Sequence, residues 1–134
     1  MPQGGGPWTS IASSATGTKL FAGSYTGGPP YMSQDSGITW SLILPINDRN
    51  NLHSLSTSAD GNTLAAITGG TQALFVSGAT FPSLSPPLYG NPGYSAVALS
   101  ANGSNLAACE NKVIKKIDPD GFSGRIGLWS ATPN

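Results

Sequence analysis

Three segments of this chain align with one another without a gap, and this repetition constrains the fold more than any other feature of the sequence. They cover residues 10–22, 54–66 and 96–108, and their central glycines lie 44 and then 42 residues apart. In each segment a short β-prone run leads into Thr-Gly, Asp-Gly or Asn-Gly and then into a second apolar run, as in a β-hairpin. Three copies at this period predict a protein built from repeated β units.

Each repeat is long enough for four antiparallel strands. In the first repeat a third strand is predicted near residues 30–33 and a fourth over 39–44, which gives four strands in about 44 residues, the size of one propeller blade. The sequence therefore predicts an all-β fold in a single domain, 1–134, with a flexible N-terminal segment, 1–7. The three four-stranded antiparallel propeller blades are expected at approximately 8–51, 52–93 and 94–134.

The loop before the fourth predicted strand has the spacing Ser33-x-Asp35-x-Gly37-x-Thr39-Trp40. The Asp35 carboxylate can accept backbone N–H groups across its own turn, Gly37 can adopt a positive φ, and Trp40 can anchor the next strand as a buried side chain. None of these roles is catalytic. We therefore predict a structural hairpin lock here, and we expect loss of Asp35 to destabilise the fold more than loss of Asp60 at its Asp-Gly turn.

The other two repeats carry weaker versions of this loop. Residues 74–81 keep a Ser, a Gly and a Thr-Phe pair but lack the acidic residue, and residues 118–129 keep acidity and a terminal tryptophan. For the third repeat we expect a strand over 111–117, a turn, and a strand over 126–129.

Together these residues resemble the Asp-box (BNR-like) β-propeller repeats of bacterial surface repeat proteins, photosystem II assembly factors, sortilin-type receptors and sialidases. The resemblance runs from residue 8 to about residue 129 and implies a β-propeller. It also favours an extracellular or cell-surface location, although residues 1–7 lack the charged and apolar regions of a signal peptide. Because these families have unrelated activities, the resemblance implies a fold and leaves the function open.

Composition argues against several kinds of partner. Charged residues make up 9% of the chain and balance to a net charge of zero, so the chain lacks the clustered cations that neutralise nucleic-acid phosphates. The only basic cluster, Lys112, Lys115 and Lys116, is expected at a solvated strand edge. No apolar run approaches the 18 or so residues that a membrane-spanning helix needs. The lone Cys109 excludes an internal disulfide and a cysteine-built metal site. We expect no cofactor.

We also expect no enzyme activity. Sialidases, the enzymes within the resemblance, cluster three arginines on the substrate carboxylate, whereas this chain has only Arg49 and Arg125, in different repeats. No pair of carboxylates is well placed for a retaining glycosidase. No metal site is expected either, because Asp118-Pro-Asp120-Gly121 lacks the later ligands of a calcium loop and His53 has no partner at ligand spacing.

Two functional interpretations remain. A non-catalytic binding module would use loop aromatics to bind a neutral glycan, as a lectin does, or a protein partner. A purely structural assembly unit would use the same aromatics to pack its blades. The candidate ligand-binding residues are Trp8, Tyr25, Tyr31, Tyr94 and Trp129, with Tyr89 as a further loop aromatic.

The number of blades predicts self-association. Closed propellers have four to eight blades in most cases, so three blades leave the first and third without a neighbour on one side. Head-to-tail contacts end when the ring closes, and two chains would supply six blades. We therefore expect a homodimer that forms a six-bladed ring, with a higher assembly or an excised fragment of a longer propeller as the alternatives.

Overall fold

The computed structural model describes residues 7–25, 30–43, 52–68, 74–77, 94–110, 113–117 and 127–129, the last two ranges by their backbone alone. Every regular element in these residues is a β-strand, which confirms the all-β prediction. In chain order the strands are β1 (Trp8–Ser13), β2 (Leu20–Ser24), β3 (Tyr31–Ser33), β4 (Ser41–Leu42), β5 (Leu52–Thr57), β6 (Leu64–Thr68), β7 (Leu74–Ser77), β8 (Tyr94–Leu99), β9 (Leu106–Glu110), β10 (Val113–Ile117) and β11 (Gly127–Trp129).

The strands form three antiparallel sheets, each made of strands that follow one another along the chain. The first sheet contains β1 to β4, the second β5 to β7 and the third β8 to β11. The expected three four-stranded blades are therefore not all present, because the second sheet has three strands among the described residues. Its expected fourth strand, near Thr80 and Phe81, lies outside those residues, as do residues 1–6 of the expected flexible segment.

The three repeated hairpins have one and the same register. The pairs Ile11–Ala22, Leu55–Ala66 and Val97–Ala108 are equivalent, and each hairpin has a bulge at the same place, two residues into its first strand. Equal spacing of apolar residues and turn glycines gives equal pairing because a slip of one residue would turn every side chain to the opposite face.

The turns of these hairpins depend on their glycines. Gly17, Gly61 and Gly103 have φ angles of 72°, 69° and 72°, a backbone conformation that other residues rarely adopt. Each turn is also closed by the serine that directly follows the first strand of the hairpin. The hydroxyl oxygens of Ser14, Ser58 and Ser100 accept the backbone N–H five residues later, at 3.1, 3.0 and 3.0 Å.

The core lies between the sheets. Strands β1, β5 and β8 run side by side, so each sheet packs its face on the next one. One apolar cluster, around Phe21, Leu52 and Leu55, fills the space between the first and second sheets. A second cluster, around Ile67 and Tyr94, fills the space between the second and third. Within the described residues, no helix long and apolar enough to cross a membrane is found.

Candidate functional site

The turn around Asp35 is held by its own carboxylate. Oδ1 of Asp35 accepts the Ser33 hydroxyl and the Thr39 backbone N–H, each at 2.8 Å, while Oδ2 accepts the Thr39 hydroxyl. These bonds, led by the one from the Thr39 hydroxyl, lower the pKa of Asp35 from 3.8 to about 2. The carboxylate is therefore ionised and fully engaged near neutral pH, as a structural role requires.

The rest of this turn docks on the first hairpin. The buried Ser33 hydroxyl oxygen accepts the Gly37 backbone N–H at 2.8 Å, and the Ser36 N–H donates to the carbonyl of Thr18 at 3.0 Å. Gly37 has the expected positive φ, 92°, but Ser36 also has one, 59°. The positive φ of Ser36 was not expected, because serine rarely occupies this region.

Trp40 takes part in the turn and directly precedes β4. Its Nε1 donates to the carbonyl of Gly37 at 3.0 Å, and its ring is half-buried. The expectation of a buried anchor is therefore met only in part. The exposed edge of the ring faces an open cleft on the first sheet.

This cleft is an open concave surface on the first sheet. It has a volume of about 530 Å³ and is lined by Trp8, Thr9, Ser10, Ile11, Ala22, Gly37 and Trp40. Most of these side chains are apolar. Of the ligand-binding candidates whose side chains the structure describes, only Trp8 lines it.

The other candidate aromatics lie in different places. Tyr31 packs edge-on against Trp8, with ring centroids 5.6 Å apart at an angle of 81°, and the exposed Tyr25 lies 5.8 Å from the ring of His53. Tyr94 is 3% exposed and belongs to the core between the second and third sheets. Tyr89 lies outside the described residues, and Trp129 is described only as part of β11. The structure therefore brings Trp8 and Tyr31 together and leaves Tyr25 and Tyr94 apart from them.

Trp8 and Ile11 are far more exposed than their counterparts in the other repeats. Trp8 is 41% exposed, whereas Leu52 and Tyr94, at the equivalent position, are 1% and 3% exposed. Ile11 is 69% exposed, whereas its equivalent Leu55 is 8% exposed. We call the surface formed by Trp8, Ile11, Ala22 and Trp40 the free face of the first sheet. The sequence already held the signal, because the aligned repeats make these positions apolar in all three copies.

The acidic turn of the second sheet offers no catalytic group of its own. The carboxylate of Asp60 accepts the Ser58 hydroxyl, the Asn62 backbone N–H at 3.0 Å and the Asn62 side-chain amide at 2.8 Å. These bonds, led by that from Ser58, lower the pKa of Asp60. Among the described residues, no three side chains of His, Cys, Asp or Glu come together as a metal site would require.

Comparison with known structures identifies the architecture. The β-propeller domain of Cps50 (Swd1) from Myceliophteria thermophila superposes with a TM-score of 0.70 at 16% sequence identity, over 97% of this chain and 41% of that one. This chain is a partial β-propeller. A chain from the crystal structure of a nidogen–laminin complex gives a TM-score of 0.66 at 12% identity, over 90% of this chain and 48% of that one.

The similarity extends to the fold alone, since the identities are low. No protein-family model matches this chain, and neither does any curated protein sequence. The propeller predicted from the repeats is therefore confirmed, while the narrower resemblance to Asp-box families has no support from a family model. The chain spans less than half the length of the two structures it resembles.

Proposed function

We propose that this chain is a non-catalytic β-propeller binding module and that the free face of the first sheet binds a protein partner. One observation carries the proposal: Trp8 is 41% exposed where its counterparts Leu52 and Tyr94 are buried beneath a neighbouring sheet. The face thus has the composition of an interface between sheets, but none of the described sheets lies against it. An exposed apolar surface of this kind marks an interaction site.

The polar groups of the cleft favour a protein over a sugar. The Thr9 hydroxyl donates to the carbonyl of Leu52 at 2.6 Å, and the Ser10 hydroxyl oxygen accepts the Leu55 N–H at 2.9 Å. Both hydroxyls are therefore already used inside the chain. A sugar site needs polar groups that converge on the ligand, and here it would retain little beyond the rings of Trp8 and Trp40.

The state of the carboxylates supports a non-catalytic role. A general acid for glycoside hydrolysis needs a raised pKa, whereas hydrogen bonds lower the pKa values of both Asp35 and Asp60. Their oxygens are also engaged inside their own turns. These two groups are thus suited to holding turns and unsuited to proton transfer.

A matched pair of substitutions tests whether the free face serves binding or folding. In urea denaturation, at dilutions where light scattering gives the mass of one chain, Ile11→Ser should change the free energy of unfolding by less than about 1 kcal/mol. Leu55→Ser, at the equivalent covered position, should cost more than about 2 kcal/mol. Equal losses would show that Ile11 is a folding residue and would refute the proposal.

Calorimetry with neutral mono- and oligosaccharides tests the second ligand class. We expect no heat of binding from any sugar. A saturable heat that disappears in Trp8→Ala and persists in Tyr25→Ala would replace the protein partner with a glycan, because Tyr25 is an equally exposed aromatic outside the cleft.

A further inference from the structure

Each sheet is joined to the next by the same backbone bond between turns. The Ala15 N–H donates to the carbonyl of Ala59 at 2.8 Å, and the Ala59 N–H donates to the carbonyl of Ala101 at 2.7 Å. These three alanines are equivalent positions of the repeat. The bond thus has a direction, from the N–H of one sheet to the carbonyl of the following sheet.

Two side-chain contacts also recur between successive sheets, and in these the N–H donor is on the following sheet. The Ser10 hydroxyl oxygen accepts the Leu55 N–H at 2.9 Å, and the Ser54 hydroxyl oxygen accepts the Val97 N–H at 3.2 Å. The turn glycines of the second and third sheets also have a side chain of the preceding sheet beneath them. A Cβ on Gly61 would lie 2.7 Å from the Lys19 side chain, and one on Gly103 would lie 2.8 Å from Oγ1 of Thr63.

The first and third sheets carry equivalents of these contact residues on the sides where none of the described sheets lies. On the first sheet a Cβ on Gly17 would meet no described atom within 4 Å, although Gly17 is equivalent to Gly61 and Gly103. On the third sheet Asn105, the equivalent of Lys19 and Thr63, is exposed, as is Ala101. The first sheet can therefore receive the same contacts that the third sheet can give.

The side chains at the two ends also complement one another in size. On the third sheet, the positions equivalent to Ser54, Ser56, Ala65 and Ile67, whose side chains face the following sheet, are Ala96, Ala98, Ala107 and Cys109. We call these four residues the far face of the third sheet. All are small and uncharged, whereas Trp8, Ile11 and Trp40 of the free face are large. Projecting side chains can pack closely against small ones. The register of β10 places Lys116 opposite Ala107, so a charged residue borders this surface.

We propose that the free face of the first sheet binds the far face of the third sheet of a second copy, so that two chains close one ring. The inference rests on the proposed function and names its partner. In this arrangement the Ala101 N–H of one copy donates to the carbonyl of Ala15 in the other, and Asn105 lies over Gly17.

Complementation between two blocked variants tests the direction of the contact. A charge on either surface, Ile11→Asp or Ala107→Asp, should convert a light-scattering mass of two chains into that of one chain. An equimolar mixture should restore the two-chain mass, because the third sheet of one variant and the first sheet of the other are intact. If Ile11→Asp alone dissociates the wild-type dimer and Ala107→Asp does not, the first sheets pair with each other and the proposal is wrong.

A disulfide provides an independent test of position. A Cβ on Gly23 would lie 2.8 Å from Cβ of Leu52, and the equivalent pair across the proposed contact is Cys109 with Trp8. Trp8→Cys should therefore oxidise to a covalent two-chain species through the native Cys109, and Cys109→Ser in the same chain should abolish it. Asn62→Cys is the matched control, because Asn62 is exposed on the second sheet and has no place in the contact.

Three results would overturn the proposal: a one-chain mass at micromolar concentration with a cooperative melt, a ladder of longer covalent multimers from Trp8→Cys, or equally fast cross-linking of Asn62→Cys. A monomeric chain would leave the free face available to a different protein. The free energies of unfolding of Ile11→Ser and Leu55→Ser would then still test the proposed function. Failure of this proposal can therefore be distinguished from failure of the proposed function.

Discussion

Strands β1 and β5 have nearly the same design and opposite surroundings. Both pair with the following strand in the same register and carry a bulge at the same place, and both lead into a turn closed by serine and glycine. Yet Ile11 of β1 is 69% exposed, and Leu55 of β5 is 8% exposed. The local sequence thus sets the conformation of each hairpin, while the presence of a preceding sheet sets how deeply it is buried.

The contribution of a residue to stability should depend more on whether a neighbouring sheet covers it than on its place in the sequence pattern. Because the chain offers the same residue types at equivalent positions, this difference between the sheets can be measured with identical substitutions. The hydrophobic term scales with the apolar area removed from water, so a covered copy should contribute more than an uncovered one.

The largest expected difference concerns the leucine that begins each second strand. Leu64 and Leu106 are 5% and 1% exposed, whereas Leu20 is half-buried beneath the Asp35 turn. Leu64→Ala and Leu106→Ala should each lower the free energy of unfolding by about 2 to 5 kcal/mol, and Leu20→Ala by about half of that or less. Chemical denaturation of the three variants measures this. Equal losses would mean that the first sheet is as well covered as the others.

Much of this architecture was predictable from sequence because it depends on short-range chemistry. Gly17, Gly61 and Gly103 mark turns that need a positive φ, and the apolar spacing around them sets the strand register. The role of Asp35 followed from the reach of a carboxylate across its own turn. These features are decided by residues close together along the chain.

Other features could not be predicted because they depend on distant neighbours. Tyr94 and Trp8 occupy equivalent positions and were both proposed as ligand-binding residues, but a sheet covers only Tyr94. Ile11 and Leu55 likewise occupy equivalent positions, but a sheet covers only Leu55. The positive φ of Ser36 depends on its N–H bond to Thr18, which no local pattern reveals.

The turn glycines should show a smaller difference of the same kind. Gly17 and Gly103 have the same φ, 72°, so alanine at either site carries the same backbone strain, about 1 to 2 kcal/mol. Gly103→Ala must also push against Thr63, whose Oγ1 and Cβ would lie 2.8 and 3.1 Å from the new Cβ. It should therefore cost about 1 to 3 kcal/mol more than Gly17→Ala in thermal or chemical denaturation. Equal costs would show that Thr63 moves aside freely.

The hydroxyls that bridge neighbouring sheets should contribute less again. Ser10→Ala leaves the N–H of the buried Leu55 without its acceptor, and Ser54→Ala does the same to the N–H of Val97. Each should cost about 1 to 2 kcal/mol. The matched control is Ala96→Ser, which adds a hydroxyl at the equivalent position of the third sheet and should leave the stability of a single chain unchanged. If Ser10→Ala is equally neutral, the bridge is not a stabilising contact.

The last difference is between the two acidic turns, and pH separates them. Hydrogen bonds lower the pKa of Asp35 from 3.8 to about 2 and lower that of Asp60 in the same direction. A carboxyl whose pKa is lower in the folded state stabilises the fold above its unfolded pKa and loses that effect as pH falls through the folded value. Asp35 should therefore stabilise the chain above about pH 4 and lose its effect between about pH 4 and pH 2.

Melting temperatures across this range should fall more steeply in wild type than in Asp35→Asn, with Asp60→Asn intermediate. Because Trp40 donates to the turn at Gly37, its fluorescence should change over the same interval. Parallel curves for wild type and Asp35→Asn would show that the carboxylate does not hold the turn, and the Ser33 hydroxyl, which accepts the Gly37 N–H, would then be the main lock.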